Sequence, residues 1–141
     1  MTTPATTDRS DAAVAVVTDF FEALGALDVP RATAHLTEDV QWQNVSLPTL
    51  RGLPAVGRAL RAAGRPRFRF EAVMHHIASD GDTVLTERTD TLIVGPLRSV
   101  FWVCGTFEMR DGKIAVWRDY FSWRAFLVGT VVGTVRSALG R

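Results

Sequence analysis

One short stretch of the chain, "ERTDT" at residues 87–91, places charges where a strand should be apolar. Arg88 and Asp90 are two residues apart, and residues two apart on a β-strand point to the same face. Val84 and Leu92 share that face and have the character of core residues. The spacing therefore predicts an arginine and an aspartate that point into an apolar interior.

Two further stretches repeat this pattern. In "VWRDYF", Asp119 shares a strand face with the bulky apolar residues Trp117 and Phe121. In "VQWQN", Trp42 and Asn44 share another face. If these faces line one cavity, it contains two carboxylates, a guanidinium, an amide and an indole.

That set of groups could carry out acid–base chemistry. Two carboxylates close together cannot both ionise cheaply, so one pKa rises. An arginine between Asp90 and Asp119 stays charged and can donate hydrogen bonds to both. One carboxyl can then act as an acid and the other as a base. Asn44 can both donate to and accept from a water molecule. No His pair or Cys cluster lies at ligand spacing with these carboxylates, so no metal is expected.

A purely structural role explains the same residues. A buried Asp–Arg–Asp network can satisfy its own hydrogen bonds and fix the register of a sheet. The residue types alone leave both interpretations open. The adjacent His75 and His76 should face opposite ways on a strand, so at most one of them could line the cavity.

The composition favours one ordinary globular domain. The chain has 141 residues, 47% hydrophobic and 22% charged, with a net charge of +1, so no overall field favours nucleic acid. A local basic cluster is expected to be a solvated helix end and loop, with an anion site as the alternative: Arg58, Arg61, Arg65, Arg67 and Arg69.

Cysteine content and hydropathy suggest a cytoplasmic protein. Cys104 is the only cysteine, so no intrachain disulfide can form. The polar N-terminus has no signal-peptide pattern, and the apolar stretch before Arg136 is too short to span a bilayer. Gly129 and Gly133 in that stretch have a GxxxG spacing, for which a helix-contact role is a minor alternative.

The order of predicted elements is typical of an α+β fold. Residues 1–10 are predicted to be a disordered tail, with Ser10 as the N-cap of the first helix, and residues 11–141 to be a single domain. A bent, antiparallel-rich sheet should wrap around the N-terminal helices and enclose an apolar cavity. The predicted helices cover about 11–24, 30–36, 54–63 (ended by Gly64 and Pro66) and 123–139 (capped by Ser122); the predicted strands cover about 39–45, 67–77, 83–94, 98–109 and 113–122.

Three motifs together resemble those of the limonene-1,2-epoxide hydrolase family. They are "WQN" at 42–44, "RTD" at 88–90 and "WRDYF" at 117–121, and the similarity in order and spacing runs from about residue 11 to 127. The resemblance implies a cone-shaped fold of the nuclear-transport-factor-2-like (SnoaL-like) type. It also implies a cofactor-free homodimeric enzyme that adds water to an epoxide in one step, giving a vicinal diol.

The resemblance assigns a role to each polar residue. Asp119 would be the general base that takes a proton from water, and Asn44 would hold that water. Asp90 would be the general acid that protonates the epoxide oxygen, and Arg88 would bridge both aspartates. Trp42 stands where the family has a tyrosine. An indole N–H can donate to the water but cannot accept from it.

The remaining pocket walls are apolar. Strand alternation gives Leu92 and Phe121, and the resemblance adds Phe101, Val103 and Phe126. Such walls with few polar groups suit a lipophilic epoxide, with no nucleic acid or membrane as partner.

Two other functions fit the same fold. A ketosteroid-isomerase-like proton-transfer enzyme would need a phenol in the pocket, but Tyr120, the only tyrosine, is predicted to face away from Asp119. A non-catalytic small-molecule-binding domain would not depend on the acidity of either aspartate.

Overall fold

The computed structural model describes residues 4–63 and 66–140. Within these residues, four helices and six strands follow one another in an α+β order, which confirms the predicted fold class. The helices are α1 (Pro4–Gly25), α2 (Val29–Thr33), α3 (Leu53–Ala63) and α4 (Trp123–Leu139), and the strands are β1 (Leu36–Asn44), β2 (Leu50–Arg51), β3 (Phe68–Asp80), β4 (Thr83–Val94), β5 (Leu97–Arg110) and β6 (Lys113–Tyr120).

The first helix begins earlier than the sequence suggested. α1 starts at Pro4, so residues 4–10 are helical and Ser10 lies within the helix. Proline is favourable in the first turn of a helix, and no helix breaker follows it before Gly25. The prediction of a disordered tail is therefore wrong for residues 4–10, and residues 1–3 lie outside the described residues. The predicted end of α3 at Gly64 also lies outside them.

One curved six-stranded sheet forms the body of the molecule, in the order β2-β1-β6-β5-β4-β3. The predicted meander of β3 to β6 is confirmed, since each neighbouring pair is antiparallel. Its turns contain glycines with positive φ, namely Gly81, Gly95 and Gly112. β1 runs parallel to β6, and β2, which was not predicted, pairs with the outer edge of β1.

Two local predictions need correction. The second helix ends at Thr33, and Leu36 begins β1, because Leu36 is buried as an inward-facing strand residue. In β3, the pairing register shifts between Met74 and His76. This bulge leaves both His75 and His76 exposed, so the two adjacent histidines do not face opposite ways.

The core lies between α1 and the concave face of the sheet. Val17 and Phe20 on α1 are fully buried. Phe20 packs edge-to-face on Trp117 of β6, with ring centroids 5.0 Å apart, and Phe21 packs in the same way on Phe107 of β5. Trp117 of this aromatic cluster also lines a cavity on the concave face.

α4 covers the sheet beside that cavity. The Ser122 side chain accepts a hydrogen bond from the backbone N–H of Ala125, which confirms the predicted N-cap. A Cβ atom at Gly133 would lie 2.6 Å from the carbonyl oxygen of Arg98, and one at Gly129 would overlap that of Val100. The GxxxG spacing thus lets the helix contact the β5 backbone. No helix among the described residues is long and apolar enough to cross a membrane.

Candidate active site

Neighbouring strands bring the predicted polar residues together. Asp90 lies on β4 and Asp119 on β6, so β5 runs between them. Asn44 at the end of β1 pairs directly with Asp119 across the parallel β1–β6 ladder. Strand alternation turns Arg88 to the same face as Asp90, and its long side chain reaches across β5 toward β6.

The Arg88 guanidinium bridges the two carboxylates. Its Nε donates to Asp90 Oδ1 at 2.8 Å, and its Nη2 donates to Asp90 Oδ2 at 3.1 Å. Nη2 also lies 2.8 Å from Asp119 Oδ1. That second contact is an ion pair without good hydrogen-bond alignment, so Asp119 Oδ1 is without a hydrogen-bond partner among the described residues.

All three charged residues are buried. The exposed fraction is 0% for Arg88, 5% for Asp90 and 6% for Asp119. Two further contacts hold the guanidinium: Nη1 donates to Thr86 Oγ1 at 3.2 Å, and its central carbon lies 4.5 Å from the ring centroid of Phe21. Charges held this far from water interact strongly with one another.

Burial and mutual contact shift the pKa values of Asp90, Asp119 and Arg88. Desolvation raises the pKa of Asp90 to about 6, although Arg88 works to lower it. Desolvation also raises the pKa of Asp119, against the opposing effect of Arg88 and the nearby Trp117 N–H. Burial works to lower the pKa of Arg88, but Asp119 and Asp90 together outweigh it and raise that pKa. The site therefore pairs a permanent cation with two carboxyl groups whose pKa values are both raised, that of Asp90 to about 6.

Two stacked indoles flank the carboxylates. The rings of Trp42 and Trp117 are nearly parallel, with centroids 4.3 Å apart. Both Nε1 atoms are buried and make no hydrogen bond with any described residue, although the N–H of Trp117 is near enough to lower the pKa of Asp119. Buried N–H groups without partners are rare, and here they lie on two residues that line the cavity.

These groups lie at one end of an apolar cavity of about 290 Å³. Asp90, Asp119, Asn44 and Trp42 reach it directly, whereas Arg88 lies behind the carboxylates and is not part of the wall. Every apolar residue that was expected in the pocket lines it: Leu92, Phe101, Val103, Phe121 and Phe126.

Several residues in the cavity wall were not predicted from the sequence. Trp117 was recognised as sharing a face with Asp119 but was not assigned to the site. Alternation along β3 could have identified Phe68 and Phe70 in the same way. The helical and loop walls carry no comparable signal, because only the tertiary fold brings them to the cavity: Ala23, Leu24, Leu27, Val29, Leu47, Leu60, Ala63 and Trp123.

Comparison with known proteins gives a consistent family relationship. Residues 11–131 match the family model described as the limonene-1,2-epoxide hydrolase catalytic domain. The chain is 44% identical over 116 residues to epoxide hydrolase EphG from Mycobacterium tuberculosis, an alignment that covers 82% of this chain and 77% of that protein.

Solved structures agree with this relationship. A structure described as an M. tuberculosis LEH-like epoxide hydrolase superposes with a TM-score of 0.88 at 40% identity, covering 94% of this chain and 98% of that one. A putative polyketide cyclase from Xanthomonas campestris pv. campestris has a TM-score of 0.74 at 20% identity, covering 86% and 98% of the two chains. At that identity the second likeness concerns the fold alone.

Proposed function

The chain belongs to the limonene-1,2-epoxide hydrolase family and is an epoxide hydrolase, and we propose that it adds water to a lipophilic epoxide in one acid–base step. The product is a vicinal diol, and the reaction uses no cofactor and no covalent enzyme intermediate. The observation that carries this proposal is the Asp90–Arg88–Asp119 bridge at the polar end of an apolar cavity.

The water molecule is held and activated by β1 and β6. Asn44 and the Trp42 N–H provide donors beside Asp119, and the Asn44 carbonyl can accept a hydrogen bond from one O–H of the water. Asp119, as general base, takes the proton of the other O–H while the water oxygen attacks an epoxide carbon. The register that pairs Asn44 with Asp119 supports this assignment.

The leaving oxygen receives its proton from the opposite carboxyl. Asp90 also reaches the cavity, and its pKa of about 6 suits a general acid that works near neutral pH. As the ring opens, Asp90 loses its proton and Asp119 gains one, so the total charge beside Arg88 does not change. A fixed guanidinium can thus stabilise the pair before, during and after the step.

The observed geometry disfavours the two alternative functions. Tyr120 is 48% exposed and points away from the cavity, so it cannot act as a phenolic oxyanion donor for an isomerase. A simple binding domain has no need for two buried carboxyl groups with raised pKa values, which cost stability. Both alternatives leave the Arg88 bridge without a chemical role.

A panel of terpene, aryl and alicyclic epoxides tests the proposal. The pure protein should convert at least one of them to its vicinal diol, with saturation kinetics and a rate that chelators leave unchanged. Asp119→Asn, purified in the same way, is the matched control and should form diol about 10²–10⁴-fold more slowly. Equal diol formation by both proteins, or by neither, would contradict the proposed activity.

We further propose a cytoplasmic homodimer. α4 presents an apolar stripe to solvent, formed by Leu127, Val128, Val131, Val132, Val135 and Leu139. No charged residue interrupts α4 between Arg124 and Arg136, so the stripe suits a second copy of the same apolar surface better than a charged partner. The free Cys104 is compatible with a reducing compartment.

Light scattering after size-exclusion chromatography tests the dimer. The wild-type protein should have twice the chain mass, and Val131→Glu should give a monomer because it places charges in the apolar contact. Leu85→Glu, at an exposed apolar position on the outer sheet face, should stay dimeric. A dimer that survives Val131→Glu but not Leu85→Glu would locate the interface on the sheet instead.

A further inference from the structure

The Arg88 side chain can bridge the two aspartates only by crossing β5, and Gly105 lies at the crossing point. Gly105 pairs with Thr86 of β4 on one side and with Asp119 of β6 on the other. A Cβ atom at this position would lie 2.6 Å from Nη1 of Arg88 and 2.7 Å from Oγ1 of Thr86. Any larger residue would therefore occupy space that the guanidinium uses.

Backbone conformation does not explain this glycine. The glycines with positive φ lie in turns and loops of the described chain, and Gly105 is not one of them. Its backbone is ordinary strand, which any residue can adopt. Space above the strand is therefore the physical reason for glycine at position 105.

Thr86 contacts the guanidinium from the side opposite Asp90. It lies two residues before Arg88 on the same face of β4 and is buried. Its Oγ1 accepts from Arg88 Nη1 at 3.2 Å, and its hydroxyl can donate to the Gly105 carbonyl oxygen at 3.5 Å. The donation orients an oxygen lone pair toward Nη1. That contact leaves the Nε and Nη2 edge of the guanidinium to face the carboxylates.

We propose that Gly105 and Thr86 are positioning residues of the acid–base pair, which hold the Arg88 guanidinium in contact with both Asp90 and Asp119. This inference rests on the proposed function, in which those carboxyls exchange protons with water and epoxide. Neither positioning residue lines the cavity among the described residues, so neither is expected to touch substrate.

The position of the guanidinium controls both carboxyl groups. Among the described residues, the charged groups that act on these carboxyls are Arg88 and, for Asp90, also Asp119; the face of α1 toward Arg88 contributes only the ring of Phe21. The Arg88 charge lowers both pKa values against the effect of burial. A guanidinium that moves away must therefore raise both, because it stabilises the ionised forms less.

Three variants test this inference. Gly105→Ala inserts the obstructing methyl group. Thr86→Val removes the hydroxyl at nearly constant shape, whereas Thr86→Ser keeps the hydroxyl and removes only the methyl group. Gly25→Ala is the control for the glycine substitution, since its Cβ would meet only Phe70 O at 3.8 Å. Thr89→Val is the control for the threonine substitution, because Thr89 lies on the opposite face of β4.

The pH profile of kcat/KM gives the main readout. In Gly105→Ala and Thr86→Val, both limbs of the bell should move to higher pH by about half a unit or more. The kcat at pH 7 should fall about tenfold, which corresponds to about 1.4 kcal/mol, near the lower limit for one lost hydrogen bond to a charged group. KM should change little. Thr86→Ser and both controls should keep the wild-type profile.

Titration of the Asp90 and Asp119 carboxyl carbons by NMR gives a second readout that needs no turnover. Both pKa values should rise in Gly105→Ala and Thr86→Val. Unchanged pKa values in a folded Thr86→Val protein would overturn the inference, as would lost activity with an unmoved pH profile. If Gly105→Ala does not fold, the pKa values and the pH profile of Thr86→Val alone test the inference. If the wild-type protein opens no epoxide, the proposed function fails, and the titration still decides whether these residues position Arg88.

Discussion

At the residue scale, the Arg88 guanidinium allows two carboxylates to be buried close together. An unpaired buried charge costs several kcal/mol, and two like charges in one site cost more. Arg88 contributes three donor contacts and one ion pair to its surroundings, which offsets part of that cost. The remaining cost appears as the raised pKa values of Asp90 and Asp119, and those values are what acid–base chemistry needs.

Asp90→Asn and Asp119→Asn should each lower kcat by about 10²–10⁴-fold, the contribution of one general acid or base. Asparagine keeps the shape of the side chain but exchanges no proton. Arg88→Lys should also lose most activity, because an ammonium group cannot make a bidentate contact with one carboxylate while pairing with the other. Steady-state kinetics and thermal melts of the purified variants measure both effects. Near-wild-type rates in either Asn variant would refute the assignment, and unfolding of all three would favour a purely structural network.

Trp42→Phe should cost about 2- to 13-fold in kcat/KM, because it removes one neutral hydrogen bond worth about 0.5–1.5 kcal/mol. Asn44→Ala should cost more, since the amide both donates and accepts. Trp42→Tyr should be tolerated and should admit bulkier epoxides, because a phenol is smaller than an indole. Rates on one small and one large epoxide measure these effects. Wild-type rates in both Trp42→Phe and Asn44→Ala would mean that the water is held elsewhere.

Period-2 alternation predicted most of the polar site. It placed Arg88 and Asp90 on one inward face, and the structure has both buried there. It could not show that Arg88 crosses a strand to reach Asp119, because that contact depends on which strand lies between β4 and β6. The importance of Gly105 follows only from that crossing.

At the element scale, α4 is fixed by two close backbone approaches. Gly129→Ala should lower the melting temperature and raise KM, because its methyl group would overlap the Val100 carbonyl and push the helix off β5. That shift would also move Phe126, which packs on Phe101 in the cavity wall. Melting curves and Michaelis–Menten kinetics measure the two effects. The matched Gly25→Ala variant should show neither, and an unaffected Gly129→Ala protein would contradict the packing described for α4.

Local turn chemistry explains which elements could be predicted. The Gly-containing turns at 79–82, 95–96 and 110–113 define the hairpins of the β3–β6 meander, and the strand bounds of β4 agree with the prediction. Other boundaries depend on tertiary contacts. Leu36 belongs to β1 because it is buried beside Ile114 of β6, and α1 starts at Pro4 because nothing before the apolar stripe interrupts it.

At the scale of the whole molecule, the buried pair should make stability depend on pH. The folded protein binds the Asp90 proton more tightly than the unfolded chain, since its pKa rises from 3.8 to about 6. That contribution is fully present below pH 3.8 and is lost as the pH rises through about 6. The free energy of unfolding should thus fall by about 2 kcal/mol from pH 4 to pH 7.

Urea denaturation at four pH values in that range measures this slope. Asp119 shifts in the same direction and should add to it, whereas the lowered pKa values of Asp19 and Asp39 act below the range. Asp90→Asn should flatten the dependence. Stability that rises with pH over this interval would contradict the direction of both shifts.

The arrangement of the whole sheet is the part that sequence patterns could not supply. The parallel pairing of β1 with β6 joins strands that lie about half the chain apart, and no turn signal records it. That pairing aligns Asn44 with Asp119, the two residues proposed to hold and activate the water. Before the structure, only the resemblance of three motifs to a known family had placed Asn44 beside Asp119.

Single turnover in ¹⁸O-labelled water tests the central claim most directly. With enzyme in excess over a reactive epoxide, the first diol formed should already carry one ¹⁸O atom. Mass spectrometry of the protein should find no label in Asp90 or Asp119, because water attacks the epoxide directly. A first-turnover diol without the label, or label in either carboxylate, would contradict the one-step acid–base mechanism.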